Sequence, residues 1–331
     1  MAADGASRPR LEPVVADARR AVRDALSDLD PGAMVLVGLS GGADSLALLS
    51  AACFEAPRAG LGCGAVVVDH GLQAESADVA ATAAGQARDL GADPVEVRRV
   101  EVTGAGGPEA AARTARREAL RAAATEHGAA AVLLGHTLDD QAETVLLGLA
   151  RGSGSRSLSG IAPCDGLWRR PFLGLRRSQT EAVCRAQGLS WWEDPHNRDE
   201  ALQRVRVRTR LLPALETELG PGVAEALART ATLARADADL LDTLATELAT
   251  AVTDSEGALD ATALATAPAA LRTRVLRQAA LAAGCPGTDL TAGHVAALDR
   301  LLTDWHGQHG VDLPGRVGAR RVESRIRLVR N

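Results

Sequence analysis

A serine- and glycine-containing turn between two apolar segments is the part of this sequence whose residue types most directly suggest chemistry. It follows the continuously apolar run 34–39, precedes an apolar helical pattern, and reads Ser40-Gly41-Gly42-Ala43-Asp44-Ser45. A helix N-terminus presents unpaired backbone N–H groups and the positive end of the helix dipole, and glycines let a phosphate come close to the backbone. The turn therefore predicts a phosphate site. The alternative is a tight turn in which serine and aspartate only cap the helix.

The phosphate chemistry must proceed without a lysine from the chain. All 37 residues counted as Lys plus Arg are arginine, which excludes a Walker-type loop with its lysine and an internal Schiff base. Backbone amides, arginines, the Ser40 and Ser45 hydroxyls or a metal must then contact a nucleotide. Asp44 is expected to bind Mg²⁺, because its carboxylate repels a phosphate unless a cation bridges the two.

Short apolar runs alternate with helical patterns through residues 1–150, which predicts βαβ units and a mostly parallel sheet. The expected strands are 34–39, 64–68, 95–102 and 130–134, and the expected helices are 11–29, 45–54, 75–90, 109–127 and 139–150. A Gly/Pro break at 219–222 predicts two domains, 1–220 and 221–331. The second is predicted to be mostly helical and to end in a β-hairpin over 317–329.

Polar residues also follow other strands of the predicted sheet. Asp69 and His70 follow the second strand, and His136 follows the fourth. Ligands of open parallel sheets collect at the carboxyl ends of the strands, so these side chains are expected beside the phosphate site. Asp140 and Glu143 are three residues apart at the start of the next helix and share a face. They predict a site for Mg²⁺ or for an ammonium group; the alternative is a helix cap with a solvated acidic face.

The composition narrows the class of protein further. No apolar run approaches the roughly 20 residues of a membrane span, and the N-terminus lacks the apolar core of a signal peptide, so a cytoplasmic protein without membrane partners is expected. Five cysteines without a CxxC pattern are expected to be free, buried thiols rather than a metal or redox site. Residues 165–213 hold ten Arg against six acidic residues, a local +4 in a chain of net charge −5. This segment predicts an RNA-binding surface.

The turn 40–45 resembles the loop of the pyrophosphate-loop ATPases, which cleave ATP between its α and β phosphates. Further motifs, in order, resemble one family among them, the tRNA(Ile)-lysidine synthetases. These motifs are VVDHGL at 67–72, GHTLDDQAET at 135–144, RGSG at 151–154, WEDPHN at 192–197, the run of Arg204, Arg206 and Arg208, and VDLPG at 311–315. The resemblance spans roughly residues 33–329. It implies an α/β fold with a parallel-sheet, adenine nucleotide alpha-hydrolase-like (Rossmann-like) catalytic domain and a smaller helical tRNA-binding domain.

The resemblance also implies a reaction: ATP-dependent ligation of free L-lysine to C2 of the wobble cytidine of an isoleucine tRNA with a CAU anticodon, through an adenylated cytidine. ATP and Mg²⁺ are the implied cofactors, and a homodimer is compatible with the family. The implied catalytic residues are Asp44, His136 and Asp140, of which Asp44 and Asp140 are also the implied metal ligands. The implied ATP contacts are Ser40, Gly41, Gly42, Ala43, Asp44, Ser45, Asp69 and His70. The implied lysine contacts are Asp140 and Glu143, and the candidate tRNA contacts are Arg113, Arg116, Arg204, Arg206 and Arg208.

Other functions share the phosphate loop. A tRNA thiolase usually needs paired cysteines or an iron–sulfur cluster, which the absence of CxxC disfavours. A non-catalytic RNA-binding protein would have no use for Asp44, His136 and Asp140. The arginine pair at 113 and 116 also fits a salt-bridged helix face, and the tryptophan pair at 191 and 192 fits core packing better than stacking on a base.

Overall fold

The computed structural model describes residues 11–71, 75–102, 108–152, 154–308 and 310–330. The chain divides into two compact units, one of Met1–Leu147 with Gly160–Arg229 and the other of Gly148–Ser159 with Thr230–Asn331. The sequence-based boundary lies at the Gly/Pro break 219–222, whereas this division falls a few residues later, inside a long helix. The Gly/Ser-rich segment near 151–157 belongs to the second unit.

The α-helices are α1 Pro13–Leu26, α2 Ala43–Glu55, α3 Ser76–Asp89, α4 Pro108–Glu126, α5 Leu138–Ala150, α6 Ser155–Leu158, α7 Arg177–Ala186, α8 Gln203–Arg206, α9 Leu212–Leu219, α10 Val223–Val252, α11 Ala261–Thr266, α12 Ala269–Ala282 and α13 Ala292–Thr303. The strands are β1 Met34–Leu39, β2 Gly62–Asp69, β3 Val95–Arg99, β4 Ala129–Leu134, β5 Cys164–Asp165, β6 Trp168–Arg169, β7 Leu259–Asp260, β8 Val311–Leu313, β9 Val317–Val322 and β10 Arg325–Arg330. A π-helical turn, Val207–Leu211, joins α8 to α9.

The sheet of the first unit positions the candidate site. Within the described residues it has six strands in the order β3-β2-β1-β4-β6-β5. The predicted parallel sheet is confirmed: β1 pairs in parallel with both β2 and β4, and β2 with β3. The chain runs outward from β1 to β3 and then returns to the other side of β1 to form β4. This reversal creates a crevice between the carboxyl ends of β1 and β4, where ligands of such sheets bind.

The apolar sequence of β1 is explained by burial on both faces. Val35, Leu36 and Val37 are each 0% exposed. Helix α2 packs on one side with Leu46, Leu48 and Leu49 fully buried in the same region, as expected for a helix covering a parallel sheet. The strand and the helix that flank the turn 40–45 are therefore rigid, so the turn is held at a fixed place on the sheet edge.

The second unit has its own core and its own sheet. Its described strands form an antiparallel four-stranded sheet in the order β7-β10-β9-β8. The predicted hairpin is present as β9 and β10, but β7 and β8 extend it into a sheet. Its apolar face packs on helices through Leu264, Leu276, Leu298 and Ile326, all fully buried. Within the described ranges, no helix combines the length and apolarity that a membrane span requires.

Candidate active site

The turn after β1 adopts a conformation that depends on its glycines and on Ser45. Gly41 has φ +79°, in the left-handed region that favours glycine. The Oγ atom of Ser45 accepts from the Ser40 amide over 3.1 Å and donates to the Gly42 carbonyl over 3.0 Å, so it closes the turn from inside. The side chain of Ser40 is exposed. Helix α2 begins after Gly42 without a side-chain cap among the described residues, which leaves its first amides facing the crevice.

Gly135 brings the end of β4 directly against this turn. A Cβ atom placed on Gly135 would lie 3.0 Å from the carbonyl carbon and oxygen of Asp44 and from the amide nitrogen of Ser45. A side chain at this position would therefore push the two backbone segments apart by a few tenths of an ångström, and glycine avoids this. As a result, His136 and the start of α5 lie beside the first turn of α2.

The carboxylate of Asp44 is held by helix α7. Thr180 donates its hydroxyl to Oδ1, and Nε of Arg177 lies 3.3 Å from Oδ2. Burial raises the pKa of Asp44 above its usual range, although the positive charge of Arg177 and the hydroxyl of Thr180 oppose this. Asp44 is thus a carboxylate for which a further cation would be a favourable partner.

Asp140 lies at the start of α5 and faces the same arginine. Its Oδ2 accepts from the Thr137 amide over 2.8 Å and from the Thr137 hydroxyl over 3.0 Å, while Oδ1 lies 3.4 Å from Nη2 of Arg177. Burial alone would raise the pKa of Asp140, but the guanidinium groups of Arg177 and Arg204 outweigh it and the pKa is lowered. Arg177 therefore connects Asp140 to Asp44, the two residues expected to hold a metal.

Glu143 is enclosed by arginines. The residue is 0% exposed. Its Oε2 lies 2.8 Å from Nε of Arg204, and its Oε1 lies 2.6 Å from Nε of Arg208. Burial of Asp140, at 9% exposed, and of Glu143 excludes the alternative of a solvated acidic face. The structure thus places two of the candidate tRNA-binding arginines on the carboxylate expected to bind lysine.

His136 follows β4 in the same crevice. Its Nδ1 is buried and makes no hydrogen bond within the described part of the chain. Burial lowers the pKa of His136 to about 4, and the nearby charges of Arg170, Arg113 and Arg204 act in the same direction against Asp140. The imidazole is therefore neutral at pH 7.

The end of β2 forms a second part of this edge. Oδ1 of Asp69 accepts from the Gly71 amide over 2.9 Å, and this hydrogen bond lowers the pKa of Asp69. Nε of Arg116 donates to Nε2 of His70 over 3.3 Å. Of the predicted pair, Arg116 therefore contacts the sheet edge through His70, and Arg113 contributes to the positive potential around His136.

The comparisons with known proteins agree with this geometry. A family model described as a PP-loop domain matches residues 15–215, and one described as a TilS substrate binding domain matches residues 259–327. A tRNA(Ile)-lysidine synthase of Thermobifida fusca is 57% identical over 314 residues, which is 95% of this chain and 97% of that protein. The chain belongs to the tRNA(Ile)-lysidine synthase family. A second member, from Leifsonia xyli subsp. xyli, is 58% identical over 291 residues, 87% of each chain.

Membership in the lysidine synthase family settles the class of enzyme. These proteins are ligases, and the PP-loop domain implies the use of ATP. Among solved structures, a U34-tRNA thiolase of Methanococcus maripaludis with a [4Fe-4S] cluster superposes with a TM-score of 0.55 at 20% identity, covering 66% of this chain and 78% of the thiolase. This likeness shows the shared fold alone. All five cysteines are free; Cys63, Cys184 and Cys285 are buried, as predicted, whereas Cys53 is half-buried and Cys164 is exposed.

The charge of the basic segment 165–213 is largely balanced by contacts within the chain. Each of its ten arginines forms an ion pair with a carboxylate or donates to a backbone carbonyl of the chain; they are Arg169, Arg170, Arg176, Arg177, Arg185, Arg198, Arg204, Arg206, Arg208 and Arg210. Arg206 differs from its two neighbours in the run, because its side chain is exposed and, within the described residues, donates to the carbonyls of Glu200 and Ala201 and to no carboxylate. Trp191 packs partly against the main core, which agrees with the core interpretation for that residue.

Sequence reasoning missed three residues of the site. Arg177 was counted only as part of the basic segment, yet it joins the two acidic residues of the crevice. Thr180 lies three residues after Arg177 on α7, a spacing found in every helix, so nothing in the sequence marks it as a partner of Asp44. Gly135 had a usable signal, since a glycine between a buried strand and a candidate site residue often marks a close backbone approach.

Proposed function

We propose that this protein ligates L-lysine to C2 of the wobble cytidine of an isoleucine tRNA with a CAU anticodon. ATP transfers AMP to the C2 oxygen and releases pyrophosphate; the side-chain amine of lysine then forms the C2–N bond as AMP leaves with that oxygen. One observation carries the proposal: the glycine turn 40–45, whose helix has no side-chain cap among the described residues, lies beside a cluster of acidic residues and arginines. Both are at the crevice between the carboxyl ends of β1 and β4. Arg177 joins the two parts, at 3.3 Å from Asp44 and 3.4 Å from Asp140.

The turn fits the phosphate side of ATP. Ser40, Gly41, Gly42, Ala43 and Ser45 are assigned to the β and γ phosphates. The support is the left-handed Gly41, the exposed Ser40 hydroxyl and the uncapped first turn of α2, which together offer donors to an anion. The adenosine part is assigned to the strand end at Asp69 and His70. The donors of the turn 40–45 thus take the place of the lysine that other phosphate loops use.

The oxygen ligands present fit Mg²⁺. Asp44 and Asp140 would hold the ion, since carboxylate oxygens are the ligands that Mg²⁺ prefers. The contact of Arg177 with each carboxylate, at 3.3 and 3.4 Å, is at the long end of hydrogen bonding and can be exchanged for a stronger partner. When bound, the ion would neutralise charge on the phosphates. The raised pKa of Asp44 supports its need for such a partner.

His136 is assigned to the α-phosphate or to the adenylated cytidine. Because its pKa is lowered to about 4, the imidazole is neutral and can donate one hydrogen bond without adding charge. Its Nδ1 is buried and has no hydrogen-bond partner among the described residues. A preorganised donor of this kind stabilises charge that develops on the transferring phosphoryl group.

The lysine site is assigned to Asp140 and Glu143 with different roles. The Oδ1 atom of Asp140 is assigned either to the lysine α-ammonium or to the ion, as alternatives, since this oxygen makes long contacts of 3.4 to 3.6 Å with arginines. Glu143 acts through Arg204 and Arg208, which occupy both of its oxygens. The attacking side-chain amine must be uncharged, so it has to lose a proton before it displaces AMP.

The tRNA contacts are assigned to exposed arginines of the first unit and to the second unit. Arg206 and the pair at 113 and 116 are exposed, whereas the side chains of Arg204 and Arg208 are about one quarter exposed and face the acidic cluster. The second unit carries the match to the substrate binding domain of the family. The homodimer stays a prediction.

A pyrophosphate-release assay with purified protein tests the proposal. Multiple-turnover release is expected only when ATP, L-lysine and the isoleucine tRNA are all present, because without lysine the reaction stops at the adenylated cytidine after one equivalent of pyrophosphate. Mass spectrometry of the tRNA should show the added lysine. Asp44→Asn and His136→Ala are each expected to lower the rate at least about a hundredfold, as loss of transition-state contacts does. Sustained, multiple-turnover release without lysine would indicate a thiolase-like reaction, and no release under any condition would indicate a binding protein; either result contradicts the proposal.

A further inference from the structure

The phosphate turn is held in place by a segment that lies in no helix or strand. The amide of Trp192 donates to the carbonyl of Gly41 over 2.9 Å. The same segment is fixed from the other side, because Nε2 of Gln86 on α3 donates to the carbonyl of Ser190 over 2.6 Å. Two residues that are far from the turn in sequence therefore determine where the Gly41 carbonyl points.

The direction of this carbonyl sets the direction of the next amide. In a planar trans peptide the C=O of Gly41 and the N–H of Gly42 point to opposite sides. With the carbonyl bound to Trp192, the Gly42 N–H faces away from that segment. Its contact within the turn is weak, at 3.4 Å from Oγ of Ser40, so this donor is still able to bind a phosphate oxygen.

A peptide between two glycines can rotate at low cost. Rotation changes ψ of Gly41 and φ of Gly42, and neither residue has a Cβ atom to restrict it. The rotated peptide would present a carbonyl oxygen to the phosphates in place of a donor, and this would repel them. A turn without an external contact would therefore populate both orientations, and only one of them binds a nucleotide.

We propose that the backbone N–H of Trp192 is a positioning group that holds the Gly41–Gly42 peptide with its amide toward the ATP phosphates. This inference rests on the proposed nucleotide site at residues 40–45. The contact shifts the peptide to the binding-competent orientation before ATP arrives, and the affinity for ATP scales with the fraction of protein in that orientation.

Replacing the Trp192 amide by an ester tests the proposal in the full-length protein. Incorporation of the α-hydroxy acid analogue of tryptophan at this position removes the N–H and keeps the indole. The dissociation constant of α,β-methylene-ATP, which cannot be cleaved between its α and β phosphates, is expected to rise about tenfold, as for loss of one hydrogen bond that biases a two-state equilibrium. Pyrophosphate should lose affinity by a similar factor.

A matched control removes an equally long hydrogen bond from the same segment. The Leu189 amide donates to the Cys184 carbonyl over 2.9 Å and does not contact the turn. An ester at Leu189 is expected to lower the melting temperature about as much as the ester at Trp192 while leaving the affinity for the ATP analogue at the wild-type value. Equal losses of affinity in the two esters would overturn the proposal, because they would indicate a general structural effect.

A second variant reaches the same contact through a side chain. Gln86→Leu removes the donor to Ser190 and should weaken binding of the ATP analogue in the same direction by a smaller factor. Unchanged affinity in both Gln86→Leu and the Trp192 ester overturns the proposal. Wild-type protein that binds the analogue but transfers no lysine contradicts only the lysine reaction. Wild-type protein that does not bind the analogue overturns both the nucleotide site and the positioning role.

Discussion

Nε of Arg204 donates to Oε2 of Glu143 over 2.8 Å, across 61 positions of the sequence. Arg208, one turn further, occupies the other oxygen. Glu143 is fully buried, and among the described residues its charge is stabilised by these guanidinium groups and by Arg177, at 3.9 Å. The acid therefore ties the helical segment 203–211 to α5 and fixes the arginines that surround Asp140.

Replacing Glu143 by glutamine should destabilise the protein strongly. The change leaves the partly buried guanidinium groups of Arg204 and Arg208 with their long contacts to Asp140, at 3.6 and 3.5 Å, in place of the close pairs with Glu143. Removing one partner of a buried ion pair in this way costs about 3 kcal/mol or more. The free energy of unfolding of Glu143→Gln, measured by urea denaturation at pH 7, should fall by that amount.

The matched control is Glu181→Gln on α7. Glu181 forms a half-exposed i,i+4 pair with Arg185, and pairs of this kind contribute less than about 1 kcal/mol. Equal losses of stability in the two variants would mean that burial of Glu143 has no energetic consequence and that it is free to contact lysine directly.

Arg206 is expected to be the member of the arginine run that contacts tRNA phosphate. It is exposed, while the flanking arginines face Glu143. Arg206→Ala should weaken tRNA binding and lower the slope of log affinity against log salt by about one unit, because one fewer counterion is released. Filter binding at a series of salt concentrations measures both quantities.

Arg20→Ala provides the charge control for this measurement. Arg20 is an exposed arginine on α1, outside the basic segment. The Arg20→Ala variant should show the same slope of log affinity against log salt as the wild-type protein. If Arg206→Ala does not change the slope, Arg206 does not contact tRNA phosphate and only stabilises the backbone at residues 200–201.

The sequence predicted the parts of the fold that local patterns determine. The continuously apolar runs at 34–39 and 130–134 became buried parallel strands, and the positions of the phosphate turn and of His136 at one sheet edge followed from them. The strands β5 and β6 were missed, because two residues are too few to show an alternation of apolar and polar side chains.

Long-range pairing is what the sequence could not supply. Arg177 lies 133 positions from Asp44 and 37 from Asp140, and no local spacing links them. The segment 165–213 does carry a local charge of +4, but several of its arginines pair with acids far away in the sequence, such as Arg169 with Asp28 and Arg208 with Glu143. A net charge therefore described the composition of residues 165–213 without describing the potential of their surface.

Gly41 and Gly42 should respond differently to alanine. Gly41 has φ +79°, which a side chain makes unfavourable, so Gly41→Ala should lower the free energy of unfolding by about 1 to 2 kcal/mol. Gly42 has φ −78°, and a Cβ atom there would meet Oγ of Ser40 at an ordinary 3.5 Å. Gly42→Ala should therefore keep the wild-type stability.

Urea denaturation of the nucleotide-free proteins measures this difference. The Gly42 variant serves as the control for adding one methyl group to the turn. Equal stability of the two variants would show that the left-handed conformation at Gly41 is not maintained in solution, which would also remove the basis for its phosphate contact.

The low pKa of His136 should be visible as acid sensitivity. The pKa in the folded state is about 4, below the usual value of 6.5, so the folded protein binds this proton less readily than the unfolded chain. The stability that depends on the neutral imidazole is therefore present above about pH 6.5 and is lost as the pH falls toward 4.

His136→Asn cannot be protonated in this range, so between pH 6.5 and 4.5 it should lose less stability than the wild-type protein, by about 1 to 2 kcal/mol. Urea denaturation across these pH values measures the difference. Parallel curves for the two proteins would mean that solvent reaches His136, and the neutral-donor role proposed for it would then fail.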